Sequence, residues 1–304
     1  MANWAIEYLL STQNSDGGWG AHPGGQSRTE TTALAALALG FTPETAGASD
    51  ATAGLDWLGA RQQSSGAWPA GDGLPGDSWM TSLATLAVSH FDQTGEAAVQ
   101  GGRWLLRQEG QGTSWWIKLI LRFSREPRQV DLDPNLTGWP WTAATFSWVE
   151  PTAYALLALK RLRAGLPGAL AEDRIELGER MILDRVCLDG GWNYGNSRVL
   201  GEDLWSYPDT TALALLALQG LPDVAAIETG LEAIARMVDE NRSLLALSLA
   251  TICMDAYDRP SAALREAIAS EADPATAMQE TRSIAFAALA LVDGVSPFRL
   301  VDDA

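Results

Sequence analysis

A tryptophan and a threonine recur 13 positions apart three times in this chain, as Trp19 and Thr32, Trp68 and Thr81, and Trp139 and Thr152. Each tryptophan lies in a glycine-rich stretch, and each threonine opens a run of alanine and leucine. Self-similarity of this kind marks an array of one supersecondary unit, each copy of which buries its apolar face only against its neighbours. The match deepens upstream of the first two tryptophans. Tyr8-Leu9-x3-Gln13-x3-Gly17-x-Trp19 and Trp57-Leu58-x3-Gln62-x3-Gly66-x-Trp68 place like residues at like offsets. Met181-Ile182-x3-Val186-x3-Gly190-x-Trp192 is a weaker copy with valine in place of glutamine. Trp104-Leu105-Leu106-Arg107-Gln108 starts another, whose loop is stretched by an insert over residues 113–135.

Each unit reads as two helices joined by the tryptophan loop. The first is amphipathic: over residues 3–13, Trp4, Tyr8 and Leu9 share one stripe while Glu7 and Ser11 face water. The second is apolar nearly all round, over residues 32–39, 82–88, 152–159, 211–218, 243–252 and 283–292. A helix without a polar face is buried, and alanines let its neighbours approach closely. Six inner helices alternating with about six outer ones predict an all-α closed (α/α)6 barrel; a stack open at both ends is the competing arrangement. The last two units keep the helix pair without the Gly-x-Trp loop. No linker or composition shift divides the chain, so one toroid domain over residues 1–304 is expected.

Composition narrows the partners. Hydrophobic residues make up 47% and charged residues 19% of 304, a balance that builds a large core. The net charge of −17 argues against nucleic acid and anionic membrane surfaces. Cys187 and Cys253 make no disulfide framework, and His22 and His90 limit metal chemistry. No stretch reaches the ~20 apolar residues of a membrane span, and the N-terminus carries no basic start or apolar core of a signal peptide. A soluble, cytoplasmic protein is the expectation.

The Gln-x3-Gly-x-Trp repeats, each followed by a Thr-Ala-rich helix, resemble the QW-repeat proteins: the squalene-hopene cyclase and terpene cyclase group of the prenyltransferase and squalene cyclase superfamily. The resemblance implies an α/α toroid, no cofactor for cyclase chemistry, and a small apolar isoprenoid as ligand. The repeat tryptophans Trp19, Trp68, Trp139 and Trp192 read as braces, stacking on the repeat glutamine and donating the indole N–H to the preceding helix. Trp4, Trp57 and Trp104 read as core.

Aligned starts of the inner helices carry the main functional signal. Glu30, Glu150, Asp209, Glu240 and Glu280 occupy one position in five of six units; in the remaining unit that position is Trp79, with Asp77 two residues earlier. Equivalent helix ends share one end of a barrel, so these carboxylates are expected to ring one mouth. Capping of the helix N-termini explains an acid at any single position. Several acids around one pore also disfavour one another's ionisation and push pKa values up, as a general acid requires. In the resembled family an Asp-x-Asp-Asp-Thr-Ala motif opens such a helix and its middle Asp protonates an alkene or epoxide. Asp209 with Thr211-Ala212 matches that middle Asp, with Tyr207 and Thr210 in place of the flanking acids. Glu150 with Thr152-Ala153 holds the same place in its unit, flanked by Trp148 and Pro151. These two are the candidate proton donors, with Glu30 and Glu280 beside the ligand. Asp131-Leu132-Asp133-Pro134 looks like the motif but reads as loop.

Zinc prenyltransferase chemistry would need Asp, Cys and His on inner-helix ends, and neither Cys187 nor Cys253 has a suitably placed histidine. Arg242 and Arg282 could meet a diphosphate, but Glu240 and Glu280 beside them would largely cancel their charge. Trp79, Trp141, Trp148, Trp205 and Tyr207 lie at or just before inner-helix starts, where aromatic faces would stabilise a carbocation, stack on a sugar ring or simply fill core. The alternatives to a cyclase are a non-catalytic isoprenoid- or protein-binding toroid and a carbohydrate-active (α/α)6 enzyme. A lone toroid leaves its mouth open unless a homo-oligomer or the 113–135 insert, with its amphiphilic Trp115-Trp116-Ile117-Lys118-Leu119 run, covers it.

Overall fold

The computed structural model describes residues 4–43, 45, 49–74, 76–111, 132–222, 224–270, 280–292 and 296–300. Nearly all of the insert, including its aromatic run and Asp131, lies outside the described residues. The helices are α1 (Trp4–Thr12), α2 (Thr29–Phe41), α3 (Ser49–Gly59), α4 (Thr81–Phe91), α5 (Glu96–Arg107), α6 (Val149–Leu162), α7 (Gly168–Leu183), α8 (Pro208–Ala217), α9 (Ala225–Glu240), α10 (Leu244–Ala256), α11 (Ala262–Ser270) and α12 (Thr281–Ala290). The even-numbered helices pack side by side in the order α2, α4, α6, α8, α10, α12 and back to α2. Each odd-numbered helix from α3 onward lies outside the even-numbered helix that precedes it, and α1 lies against α12. The ring therefore closes as an (α/α)6 barrel, and the open stack is excluded.

Local bonds explain the 13-residue spacing. The Trp19 N–H donates to Thr32 Oγ1 at 3.0 Å, and Trp68 to Thr81, Trp139 to Thr152 and Trp192 to Thr211 repeat the bond at 2.9 Å. The fourth pair is 19 positions apart because a two-stranded ribbon, Arg198–Val199 with Glu202–Asp203, is inserted between its members. Its turn places Leu200 at φ 53° and Gly201 at φ 85°, both in the left-handed region that a tight hairpin turn requires. This ribbon is the one departure from an all-helical expectation among the described residues.

The indole N–H of each loop tryptophan donates to an outer-helix carbonyl: Trp19 to Leu9, Trp68 to Leu58, Trp139 to Leu105 and Trp192 to Ile182. The bracing role follows, with one correction. The repeat glutamine bonds backbone: Gln13 Nε2 donates to Gly17 O and Asp50 O, and Gln62 Nε2 to Gly66 O and Ala97 O, tying each loop to the next outer helix. Gly66 sits at φ 91°, and a Cβ there would stand 2.4 Å from Gln100 O, so both conformation and space demand glycine. Trp57 and Trp104 are core residues whose N–H groups reach back to Asp16 and Asp77 of the preceding loop, both at 2.8 Å. Trp4 is half-buried against the same core.

A second recurrent bond staples neighbouring units. Thr29 N donates to Ala70 O, Val149 N to Tyr194 O and Thr281 N to Ala21 O. In each case the accepting carbonyl belongs to the residue two beyond the next loop tryptophan. The third of these joins the start of the last inner helix to the first loop, so the closure repeats the bond found inside the array.

The barrel axis is filled. Tyr154 on α6, Phe286 on α12 and Phe298 beyond it are fully buried, with Phe298 6.5 Å from Tyr154 and 5.6 Å from Phe286 between ring centroids. The backbone around Phe298 crosses the ends where inner helices finish. Gln219 Nε2 donates to Phe298 O, Leu300 N donates to Gln219 Oε1, His90 Nε2 donates to Pro297 O at 2.7 Å, and Arg299 pairs with Asp258. Among the described residues, this segment thus fills the end of the barrel where the inner helices finish.

Candidate functional site

The N-terminal ends of the inner helices gather an ion cluster across the mouth. Arg282, in the first turn of α12, extends Nη2 to Glu150 Oε1 of α6 at 2.5 Å and Nη1 to within 3.3 Å of Glu30 Oε1 of α2. Glu280 stands next to this pair, its Oε2 accepting from Ser283 Oγ at 2.6 Å. Glu150 is only 6% exposed. Its partner stays charged: burial works against the Arg282 guanidinium, but Tyr154, Glu150 and Glu30 outweigh it. Glu30 moves the other way. Burial raises its carboxyl above the usual range, Arg282 opposes, and Glu150 and Glu280 reinforce the rise. Burial likewise raises the Tyr154 hydroxyl beside the same guanidinium.

Glu30, Glu150 and Glu280 lie together at the mouth, with Arg282 bridging the first two against the repulsion among the three carboxylates. Asp209, half-buried at the start of α8, adjoins Tyr194, whose hydroxyl is raised first by burial and then by Asp209 and Glu150. Glu240 is a correction. It is exposed at the end of outer helix α9, and inner helix α10 begins four residues later behind Ser243, whose Oγ accepts from Ala246 N. Ser243 supplies the cap there, so an acid has no role at that helix start. Capping does not account for the others: Arg28, Trp148, Tyr207 and Glu280 stand at the N-caps of α2, α6, α8 and α12, and no side chain among these four makes a capping bond. Asp77 is also local, accepting from Trp104 and Ser65.

Aromatic residues around the mouth fall into three groups. Trp141 stacks on Trp148 at 5.0 Å and 14°, and Tyr194 links Trp141 at 6.0 Å to Tyr207 at 5.4 Å, forming a partly exposed platform beside Glu150 and Asp209. Trp79 stacks on Tyr154 at 6.0 Å and continues toward the plugged axis. Trp205 is 76% exposed on the loop after the ribbon and walls no enclosed space, a correction to its expected place in a cavity lining. Loop conformation, which no periodicity specifies, decides that outcome.

Sequence reading undervalued Arg282 and passed over Tyr154 and Tyr194. Arg282 follows Glu280 by two positions, and that proximity suggested cancellation; the guanidinium instead spans the mouth to two other helices. Tyr154 is the one phenol inside an otherwise alanine- and leucine-rich inner helix, and that break in pattern was its available signal.

No family model and no curated protein sequence matches the chain. Solved structures do. A complex of the type II terpene cyclase MstE from Scytonema with its substrate geranylgeranyl dihydroxybenzoate is 17% identical, with 95% of this chain and 76% of that one covered at a TM-score of 0.54. An ent-copalyl diphosphate synthase from Streptomyces platensis is 19% identical, over 86% of this chain and 50% of that one at 0.55. An alpha-amylase from Clostridium perfringens is 10% identical, over 94% and 96% at 0.61. The fold is thus the helical toroid that type II terpene cyclases share with at least one carbohydrate enzyme, and at such identity the likeness concerns architecture alone.

Proposed function

We propose that this chain is a terpene cyclase-like protein that takes a small apolar isoprenoid at the N-terminal mouth of its barrel and starts cyclisation or isomerisation by protonation. The observation carrying the reading is the Glu30, Glu150 and Arg282 cluster. A half-buried carboxyl whose pKa is raised by desolvation and by neighbouring carboxylates holds its proton more tightly than an ordinary carboxylate, the condition for a general acid. Glu30 fits that role. As its proton moves to an alkene or epoxide of the ligand, the new carboxylate meets Arg282 at 3.3 Å, which stabilises the conjugate base. Glu150 and Asp209 are the other candidate donors. The platform of Trp141, Trp148, Tyr194 and Tyr207 presents ring faces that stabilise a cation formed beside it. Terpene cyclases sharing the fold, one held with a geranylgeranyl substrate, support the ligand class.

The alpha-amylase likeness, which spans nearly all of both chains, supports a second reading in which the platform stacks sugar rings beside paired acids. Incubation with C15 to C30 polyprenols, their epoxides and maltooligosaccharides, followed by mass spectrometry, separates the two. Cyclised or isomerised isoprenoid, lost by about a hundredfold or more in Glu30→Gln, is the expected result. Sugar hydrolysis would replace the reading, and binding without turnover, unaffected by Glu30→Gln, Glu150→Gln and Asp209→Asn, would reduce it to a carrier.

A further inference from the structure

A cleft of about 380 Å³ opens between the mouth ends of α4 and α6, apart from the plugged axis. Its walls include Trp79, Trp104, Trp139, Trp141, Pro151 and Ala155. Pro151 directly follows Glu150, Trp141 stacks on Trp148 of the platform, and Trp79 stacks on Tyr154 beside Arg282. The cleft therefore lies beside the ion cluster, its wall one residue along α6 from Glu150.

The polar atoms of these walls are largely committed to each other. Trp104 Nε1 donates to Asp77 Oδ2, whose Oδ1 accepts from Ser65. Trp139 Nε1 donates to Leu105 O, and Ser82 Oγ to Trp79 O. Gln108 and Thr142 supply the remaining polar side chains. A sugar entering here would surrender its hydration for few partners, at a cost an apolar chain does not incur. The volume lies at the lower end of small-molecule sites, the size of a short prenyl chain.

We propose that the cleft between α4 and α6 is the subsite for the hydrocarbon chain of a prenyl ligand, whose reactive end then lies at the cluster of Glu150, Arg282 and Glu30. This rests on the isoprenoid reading above and adds where the chain lies and why it is short.

Farnesol binding to the full chain, followed by tryptophan fluorescence, tests it. Trp141→Ala removes a half-buried wall residue, and Ala155→Phe fills the cleft from α6. Each is expected to weaken farnesol about tenfold or more, as loss of an aromatic contact or of the space itself does, while Leu188→Ala, on a distant exposed loop, leaves affinity unchanged. A diazirine-bearing farnesol analogue on the unaltered protein is expected to label residues 76–82 or 139–143, a readout that needs no variant to fold. Binding unchanged in both variants, with label elsewhere, overturns the subsite and leaves the isoprenoid reading standing. Failure of the unaltered protein to bind any prenyl alcohol overturns both. A maltooligosaccharide that competes for the cleft and is weakened by Trp141→Ala overturns the ligand class.

Discussion

At the residue scale, one threonine per unit and one arginine per molecule carry much of the specificity. Thr152 Oγ1 accepts the buried Trp139 N–H at 2.9 Å, so Thr152→Val keeps the shape and leaves a buried donor unmet. A loss of about 1–3 kcal/mol is expected, read as a fall of several degrees in the midpoint of thermal unfolding. Glu30 gives a pH signature. Its carboxyl is raised in the folded state, chiefly by burial, so its contribution to stability is fully present below the ordinary glutamic acid pKa. That contribution is lost as pH climbs through the raised value. Glu30→Gln is therefore expected to gain stability relative to the parent as pH rises above the ordinary glutamic acid pKa, and denaturant titrations at a series of pH values check it. A difference of opposite slope would show that Arg282 dominates burial. The place of Glu30 at a helix start was legible in the sequence. Its distinction from Asp209 was not, because that depends on a guanidinium contributed from the far end of the chain.

At the element scale, the legible part was the alternation of outer and inner helices. Periodicity distinguishes them because an outer helix buries one stripe and an inner helix buries its whole circumference. The helix starts at Thr29, Val149, Pro208 and Thr281 fall within a residue of the acids used to align them. The misplaced one was α10, where Glu240 ends the preceding helix; without a Gly-x-Trp loop there was no landmark to register the unit. The segment around Phe298 carries no helical period either, yet it plugs the barrel. Phe298→Ala should cost about 3–5 kcal/mol, the usual toll for deleting a fully buried phenylalanine, whereas Arg299→Ala, which loses an exposed pairing, should cost far less. Chemical denaturation of the two variants provides the comparison, and equal losses would mean that the strap rather than the ring holds the segment.

At the scale of the whole molecule, His90 couples the plug to pH. Burial first, and Arg161 second, depress its imidazole to about 3 against the opposing effect of the hydrogen bond that it donates to Pro297 O. A depressed histidine contributes stability that is present above its ordinary pKa of 6.5 and is lost as pH falls toward the folded value. The slope is up to about 1.4 kcal/mol per pH unit. Stability measured from pH 7 downward should show that decline in the parent, and His90→Gln should lessen it. A slope unchanged by the substitution would place the acid sensitivity elsewhere.

The sequence by itself determined the repeating unit, the burial of every second helix and the position of Glu30, Glu150, Asp209 and Glu280 at inner-helix starts. These follow from spacing over one or two helical turns and from local bonds such as that of Trp139 to Thr152. Only the tertiary structure decided that the array closes, because closure depends on small rotations summed around six inner helices, to which no single unit is sensitive. The same holds for Arg282 and Glu150, which lie 132 positions apart and meet only once the ring is complete. It holds equally for Tyr154, Phe286 and Phe298, whose rings come from three separate parts of the chain and pack together only in the closed barrel.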